Sequence, residues 1–333
     1  MDTSTASNLL EHQKKAVDRA IELNGSMALF HETGTGKTRT ALQIFWALRE
    51  RDECDCLLVV APVSLLNAAW GREILEIKGD THAFRNLREK GIPDDCYASI
   101  QFVNYEMLIQ AKFNLELVKF IKGTGKRWML AVDESSRMKN PRSLTSKTLL
   151  AMRNLFKCRI VMSGTPAPNS EQEYWAQMEL VRPGIFGNSF YGFRNTFFHL
   201  QNKYTKRVQQ GQFMTRLQAM DMFRKGWSYE ITNFKRSELM RRIEPFCHRA
   251  RKSECLDLPE QVDEVREVEM GLAQRKAYET MKRHLVLEIR GQEIAAPAAL
   301  TKIMKLRQLT SGFCYNEIGE SLEIHDGYIP GPQ

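Results

Sequence analysis

The stretch MALFHETGTGKT, residues 27–38, joins a short apolar run to a glycine-containing loop, and an amphipathic stretch of helical length begins at Thr38. The run Met27–Phe30 is typical of a buried strand. Glycines allow a loop backbone to curl so that its N–H groups face a phosphate, and the start of the next helix adds partial positive charge. We therefore predict a phosphate-binding loop that comprises Thr33, Gly34, Thr35, Gly36, Lys37 and Thr38.

Two side chains of this loop carry specific chemistry. Lys37 would reach the β- and γ-phosphates of ATP, and Thr38 would bind Mg²⁺. The strict pattern G-x-x-x-x-G-K-[ST] has Gly at the position of His31, so the loop departs from it there. The remaining G-x-G-K-T still lies between a predicted strand and a predicted helix; a chance match in a surface loop is the alternative.

Four further apolar runs predict buried strands, and helix-length stretches separate them: Leu57–Ala61, Ser99–Val103, Trp128–Val132 and Arg159–Ser163. Buried strands that alternate with helices indicate βαβ units and a parallel sheet covered on both faces. We predict an α/β fold, with this domain at residues 1–183. After Pro183 the pattern changes to long polar stretches, so residues 184–333 are expected to form a mainly helical, basic extension.

Two carboxylates, Asp133 and Glu134, follow the run Trp128–Val132 directly. Ligands of parallel sheets bind beyond the carboxyl ends of the strands. In a nucleoside triphosphatase Asp133 would hold Mg²⁺ and Glu134 would orient and deprotonate the attacking water. Acidic residues are common after strands, so the prediction depends on the phosphate loop in the same sheet. The next strand ends in Ser163-Gly164-Thr165-Pro166, where small residues allow close backbone approach.

The basic excess of the chain lies in one segment. The net charge is +8, and residues 202–252 contain 13 Lys and Arg against 4 Asp and Glu, with aromatic residues between them. Such a segment is typical of a surface that tracks phosphates, because each neutralised phosphate releases counterions. A solvated helical face is the alternative. The candidate nucleic-acid contacts are Lys203, Lys206, Arg207, Arg224 and Lys225.

Composition excludes several classes of protein. No apolar run approaches the roughly 20 residues that span a bilayer, so we expect no membrane partner. The first residues lack a basic segment followed by an apolar one, so no signal peptide is expected. Seven cysteines at irregular positions favour a reducing compartment over a disulfide framework. Neither Cys54 with Cys56 nor Cys247, His248 and Cys255 has the spacing of a zinc site. We expect a cytoplasmic location in a bacterium or phage-infected cell, or a nuclear one in a eukaryote.

The motifs together resemble the superfamily-two helicases. Gln13, the Gly34–Thr38 loop, Asp133-Glu134 and Ser163-Gly164-Thr165 occur in the order and spacing of that family. Further segments are similar to the Snf-type (Swi/Snf-like) ATPases, which are DNA translocases. They are Ala61–Leu66 with Trp70 and Glu73, Asn104–Glu106, Asp133–Pro141, Ser163–Asn169, His248–Lys252 with Leu258-Pro259, and Lys305–Leu309. The resemblance covers about residues 9–315.

The resemblance implies a RecA-like fold and a set of roles. Gln13 would contact adenine, and Ser163, Gly164 and Thr165 would couple the state of the nucleotide to domain movement. The elements that contain Ser64, Trp70 and Tyr105 face DNA in this family or support the loops that do. For Trp70, packing is favoured over contact with DNA.

The chain departs from the family in two respects. Ser135 and Ser136 stand where the usual motif has Ala and His, and Ser136 is too short for the usual contact with the Ser163–Thr165 loop. The family also has a second RecA-like lobe, whose Arg residues are worth about 10³–10⁵ in rate. Some 25 residues follow Lys305–Leu309, too few for another sheet, so we expect the chain to be one lobe of a longer motor.

The predicted function is therefore the ATP-binding lobe of a DNA-dependent ATPase that moves on or remodels duplex DNA. Two alternatives remain open. One is a lobe of an RNA or single-strand helicase. The other is a nucleic-acid-binding module that retains nucleotide without turnover.

Overall fold

The computed structural model describes residues 9–80, 82–187, 189–202, 227–255, 269–284, 286–289, 292–295, 299–316 and 319–324. The chain divides into two compact units, Met1–Pro259 and Glu260–Gln333. The predicted nucleic-acid contacts Lys203, Lys206, Arg207, Arg224 and Lys225 lie outside the described residues.

A parallel sheet forms the centre of the first unit. The described strands of this unit are β1 (Met27–His31), β2 (Cys56–Ala61), β3 (Phe84–Asn86), β4 (Ile100–Asn104), β5 (Trp128–Asp133), β6 (Phe156–Met162), β7 (Phe198–Asn202), β8 (Trp227–Ile231) and β9 (Cys247–Ala250). Seven of these strands pair in the order β3-β4-β2-β5-β6-β1-β9, and every pair is parallel. β7 and β8 form a separate antiparallel hairpin. The predicted α/β fold is confirmed, as are the five predicted strands.

Helices cover both faces of the sheet. In the described part of the first unit they are α1 (Glu11–Glu22), α2 (Lys37–Glu50), α3 (Val63–Leu65), α4 (Arg72–Lys78), α5 (Leu87–Lys90), α6 (Tyr105–Leu108), α7 (Ala111–Gly123), α8 (Leu144–Met152), α9 (Tyr174–Val181), α10 (Phe190–Phe197), α11 (Asn233–Ile243) and α12 (Lys252–Cys255). A π-helical turn, Leu66–Gly71, precedes α4. Alternate residues of the strands, such as Leu57 and Leu58, belong to two different hydrophobic clusters. The central strands are therefore buried on both sides, which explains their continuous apolar runs.

The first unit extends well beyond the predicted boundary at Pro183. β9 pairs with β1 in the main sheet. Phe193 and Phe197 of α10 and Leu239 and Ile243 of α11 are buried in a core cluster of that unit. The described residues from 184 to 250 thus pack on the sheet, and they include a β-hairpin as well as helices.

The second unit is smaller. Its described elements are α13 (Leu272–His284), β10 (Val286–Ile289), β11 (Gln292–Ala295), α14 (Ala299–Thr310), β12 (Phe313–Tyr315) and β13 (Ser321–Glu323). The strands form two antiparallel hairpins. Its core in the described part contains Ala277, Met281, Leu309, Cys314 and Leu322. No helix among the described residues of either unit is long and apolar enough to cross a membrane.

Candidate nucleotide site

Three predicted motifs meet at one edge of the sheet, because they follow the adjacent strands β5, β6 and β1. The phosphate loop follows His31, the last residue of β1. Asp133 ends β5, and Ser163 comes directly after β6. A cleft of about 380 Å³ opens at this edge, and its lining includes Thr33, Gly34, Gly36, Lys37, Thr38, Asp133 and Glu134. The structure therefore brings the phosphate loop and the carboxylates together.

The glycines of the loop are required by its conformation. Gly34 has φ 89° and Gly36 has φ 78°, values that residues other than glycine rarely adopt. A Cβ on Gly36 would also collide with Nε2 of Gln13, and one on Gly34 would lie 3.2 Å from Cε of Lys252. The loop can thus take this shape only with glycine at both positions.

Side chains from α1 hold the loop by its backbone carbonyls. His12 Nε2 lies 2.9 Å from the carbonyl oxygen of Thr35. Gln13 Nε2 donates weakly to the carbonyls of Thr35 and Gly36, at 3.4 and 3.5 Å, and Gln13 Oε1 accepts from the Leu10 amide at 3.0 Å. Gln13 is 3% exposed, so its side chain already supports the loop.

Two residues of the loop also make internal contacts. The Thr35 hydroxyl donates to the Glu32 carbonyl at 2.8 Å, and the Thr35 side chain is buried. Lys37 Nζ donates to the His31 carbonyl at 3.1 Å, which places its ammonium across the loop. The lysine is therefore positioned over the N–H groups that would surround a phosphate.

His31, the departure from the strict motif, has a structural role. Its side chain is fully buried, and its Nε2 lies 2.8 Å from Nδ1 of His248 on β9. Burial, together with the nearby His248, His12 and Lys37, lowers the pKa of His31 to about 3. The imidazole is therefore neutral near pH 7. The contact between His31 and His248 joins the end of β1 to β9, the outermost strand of the sheet on this side.

Asp133 is held by several hydrogen bonds. It is 3% exposed, its Oδ2 accepts from Trp70 Nε1 at 2.9 Å, and its Oδ1 accepts from the Glu134 amide at 3.0 Å. The Tyr105 hydroxyl donates to its carbonyl at 2.5 Å. Burial raises the pKa of Asp133, and the bond from Trp70 opposes that shift. Glu134 has φ 51°, a left-handed conformation, and its partly exposed side chain lines the cleft.

Trp70 and Tyr105 do not face a nucleic acid. Trp70 is 0% exposed and Tyr105 is 3% exposed, and both side chains bond to Asp133. Their aromatic rings pack in the core while their polar atoms fix the carboxylate motif. Their burial agrees with the packing role favoured for Trp70 from the sequence, and it gives both residues the supporting role that the resemblance allows. Ser64, the third residue of that group, is exposed on α3.

The Ser163–Thr165 segment lies against the phosphate loop. A Cβ built on Gly164 would be 3.4 Å from both the His31 carbonyl oxygen and the Thr33 amide nitrogen. Ser163 is fully buried, and its hydroxyl accepts from the Thr165 amide at 3.2 Å. Thr165 itself is exposed. Gly164 therefore leaves room for little more than a Cβ between the segment and the phosphate loop, and Thr165 reaches solvent.

Comparison with known proteins decides the family. Residues 12–312 match the SNF2-related domain. The chain belongs to the SNF2-related domain family. Two solved structures share the fold of this SNF2-related chain, both of the Sulfolobus solfataricus SWI2/SNF2 ATPase core. The one in complex with dsDNA has a TM-score of 0.56 and 20% identity, with 91% of this chain and 58% of that chain covered.

Curated relatives cover different shares of the SNF2-related chain. The DNA repair and recombination protein RAD54B of Gallus gallus is 30% identical over 56% of this chain. The chromatin structure-remodeling complex subunit snf21 of Schizosaccharomyces pombe is 27% identical over 84% of it. Protein p41 of Acyrthosiphon pisum secondary endosymbiont phage 1 is 25% identical over 89% of it. The chain spans 22% of RAD54B, 22% of snf21 and 61% of p41.

The SNF2-related site contains residues that no sequence motif indicated. His12 is bonded to the phosphate loop, and Gln177 of α9 bonds to Ser135 next to the carboxylates. Their partners are backbone atoms or residues far away in the chain. No spacing in the sequence could therefore have indicated them.

Proposed function

We propose that this chain is the ATP-binding lobe of a DNA-dependent ATPase that moves on or remodels duplex DNA. The observation that carries the proposal is the meeting of the phosphate loop, Asp133-Glu134 and the Ser163–Thr165 segment at one sheet edge in an SNF2-related domain. Members of this family that resemble the chain include proteins named as ATP-dependent DNA helicases.

The residues at the edge fit ATP and Mg²⁺. The loop Thr33–Gly36 would hold the phosphates with its backbone N–H groups, and Lys37 would bind the β- and γ-phosphates. Thr38 and Asp133 both line the cleft, and hydroxyl and carboxylate oxygens are the ligands that Mg²⁺ prefers. When bound, Mg²⁺ neutralises negative charge that develops on the phosphates. Because Asp133 is fixed by Trp70 and by the Glu134 amide, its oxygens are oriented before the metal binds.

Glu134 is the proposed base for the attacking water. It lines the cleft beside Asp133, and the Tyr105 hydroxyl lies 3.3 Å from its carbonyl oxygen, which restrains its backbone. A carboxylate in this place can accept a hydrogen bond from a water and then its proton. Asp133 is buried and is the proposed Mg²⁺ ligand, so the partly exposed Glu134 is the better candidate of the two for proton transfer.

Gln13 is proposed to connect adenine recognition to the loop. The resemblance to helicases assigns it to adenine, and in this structure its amide donates to the Thr35 and Gly36 carbonyls. Both donor distances are long, so these bonds are weak and can be exchanged. If Gln13 bonds to the adenine base, its bonds to the loop carbonyls change. Binding of the base would therefore release or tighten the phosphate loop.

Duplex DNA is the nucleic acid on which the ATPase is proposed to move. The neighbouring Sulfolobus solfataricus core was solved with dsDNA, and RAD54B is named as a DNA repair and recombination protein. The basic excess of residues 202–252 and the exposed Ser64 support a phosphate-binding surface. Replacement of Lys203, Lys206, Arg207, Arg224 and Lys225 by Gln should lower duplex affinity and flatten its salt dependence by about one unit of slope per lost phosphate contact. Unchanged affinity and slope would assign this charge to a solvated face.

The test is to measure ATP binding of residues 1–333 by calorimetry, and the steady-state ATPase of the complete protein with duplex DNA, single-stranded DNA, RNA and no nucleic acid. Stimulation by duplex alone supports the proposal, whereas stimulation by RNA or single strands supports the helicase alternative. Binding without turnover under every condition supports a nucleotide-retaining module. If the arginines that stabilise the transition state come from a second lobe, residues 1–333 should hydrolyse ATP weakly and respond little to DNA, since equal binding of both states gives no acceleration.

A further inference from the structure

A buried side chain connects the carboxylate motif to the Ser163–Thr165 segment. Gln177 lies on α9, and its Oε1 accepts a hydrogen bond from the Ser135 hydroxyl at 2.7 Å. Its Nε2 donates to the Pro166 carbonyl at 2.6 Å and to the Glu173 carbonyl at 3.0 Å. Ser135 follows Glu134 in the chain, and Pro166 follows Thr165. One amide therefore joins the residues next to both motifs.

The arrangement has a single orientation. Because Nε2 faces two carbonyl oxygens, Oε1 must face Ser135, and the hydroxyl of Ser135 must be the donor. Ser135 and Gln177 are both 0% exposed, and all eight residues of α9 are buried. Water cannot replace a lost partner in such a place, so breaking one bond leaves a polar group without compensation. The two motifs are thus held to one another through α9.

This connection lies beside the position at which the chain departs from the motif of its family. Ser136 stands where the family usually has His, and serine has the shorter side chain. The link begins instead one residue earlier, at Ser135, and reaches the far side through the longer side chain of Gln177.

We propose that Gln177 is a positioning residue that transmits the state of the nucleotide from Asp133-Glu134 to the Ser163–Thr165 segment. This inference rests on the proposed nucleotide site. When ligands move the backbone at Glu134, the Ser135 hydroxyl moves with it, and Gln177 passes the change to Pro166. The segment then adjusts its position against the phosphate loop, from which Gly164 is separated by little more than the space of one Cβ.

A purely structural role for Gln177 makes a different prediction. In that case its loss would lower stability but leave the response to nucleotide unchanged. Glu179 offers a matched control, because it lies on the same helix, is 8% exposed, and accepts from the Gly184 amide at 2.9 Å. It makes no contact with either motif among the hydrogen bonds of the described residues.

The experiment measures amide hydrogen exchange of peptides that span residues 163–175, with and without saturating Mg²⁺ and a non-hydrolysable ATP analogue. In the parent chain the analogue should slow exchange by about fivefold or more, as expected for an allosteric coupling. Gln177→Met and Ser135→Ala should bind the analogue within about threefold of the parent by calorimetry but lose most of this slowing. Glu179→Gln should retain it.

The double variant separates a relay from two independent effects. If both residues belong to one link, Ser135→Ala with Gln177→Met should lose no more coupling than either single variant. Ser135→Ala alone carries the test if Gln177→Met does not fold. The proposal is overturned if the single variants respond to the analogue as the parent does, or if their losses add. Failure of the parent to bind the analogue would instead overturn the nucleotide site itself, and the relay with it.

Discussion

The two walls of the nucleotide cleft are held by different kinds of contact. On the β1 side, His12 and Gln13 bond to backbone carbonyls of the phosphate loop, and Lys37 bonds to another. On the β5 side, Trp70 bonds to the carboxylate of Asp133, and Tyr105 bonds to the carbonyl at the same residue. The loop wall thus depends mainly on backbone shape, whereas the carboxylate wall depends on particular side chains.

This difference explains where the sequence can vary. A loop held by its backbone tolerates a new side chain at a position that points away from the cleft, and His31 is such a position because its ring is buried toward His248. A buried carboxylate tolerates little change in its donors, because an unpaired charge is costly there. Substitutions on the two walls should therefore differ in effect.

The largest effect is expected for Glu134→Gln on the carboxylate wall. Gln keeps the shape of the side chain but cannot accept the proton of a water, so turnover should fall by about 10²–10⁴-fold. Affinity for ATP should stay near that of the parent. Phosphate release in single-turnover experiments, together with calorimetry, checks both statements; hydrolysis at the parental rate would remove Glu134 from the role of base.

On the loop wall, Lys37→Ala should weaken ATP binding by about 30-fold or more, the cost of removing one partner of a close charge pair. The fold should remain intact, because the Lys37 bond to His31 is one of several that hold the loop. Calorimetry measures the change. Lys15→Ala serves as the control, since Lys15 is exposed on α1 and pairs with Glu11. Equal affinity of Lys37→Ala and the control would contradict the loop assignment.

Trp70→Phe tests the carboxylate wall through stability. Phe keeps an aromatic ring but is smaller and has no N–H, so Asp133 Oδ2 loses its donor. Beyond the loss of packing, the free energy of unfolding should fall by about 1–3 kcal/mol. Trp175→Phe is the matched control, because the indole nitrogen of Trp175 is buried without a hydrogen-bond partner among the described residues. Denaturant unfolding of both variants gives the difference. If Trp175→Phe lowers the free energy of unfolding as much as Trp70→Phe does, the Trp70–Asp133 bond contributes no stability beyond packing.

The smallest effect concerns His31 and pH. Its pKa falls from 6.5 to about 3 on folding, so the unfolded chain binds more protons between these values. The free energy of unfolding should therefore decrease as the pH falls below 6.5, by up to about 1.4 kcal/mol per pH unit from this residue. His248 also has a lowered pKa and acts in the same direction. Denaturant unfolding from pH 7.5 to 5 should show a shallower dependence for His31→Gln than for the parent; an identical slope would mean that folding does not change the pKa of His31.

Sequence patterns predicted the central strands well, because burial on both faces leaves a continuous apolar run, as in Leu57–Ala61. They missed the edge strands β3 and β9, where Cys247-His248-Arg249-Ala250 is too short and polar to stand out. The phosphate loop and Asp133-Glu134 were predictable because their spacing is local. The partners Trp70 and Gln177 were not, because tertiary packing decides which atoms they reach.

The pairing of β9 with β1 has a consequence for synthesis of the chain. His31 and His248 are 217 residues apart in the sequence, yet they are neighbours in the sheet. Protein synthesis adds about 5–20 residues per second, so β9 leaves the ribosome roughly 10–45 s after β1. During this time β1 presents an unpaired apolar edge, the kind of surface on which nascent chains aggregate. The nascent first unit should therefore depend on chaperones until residue 250 has emerged.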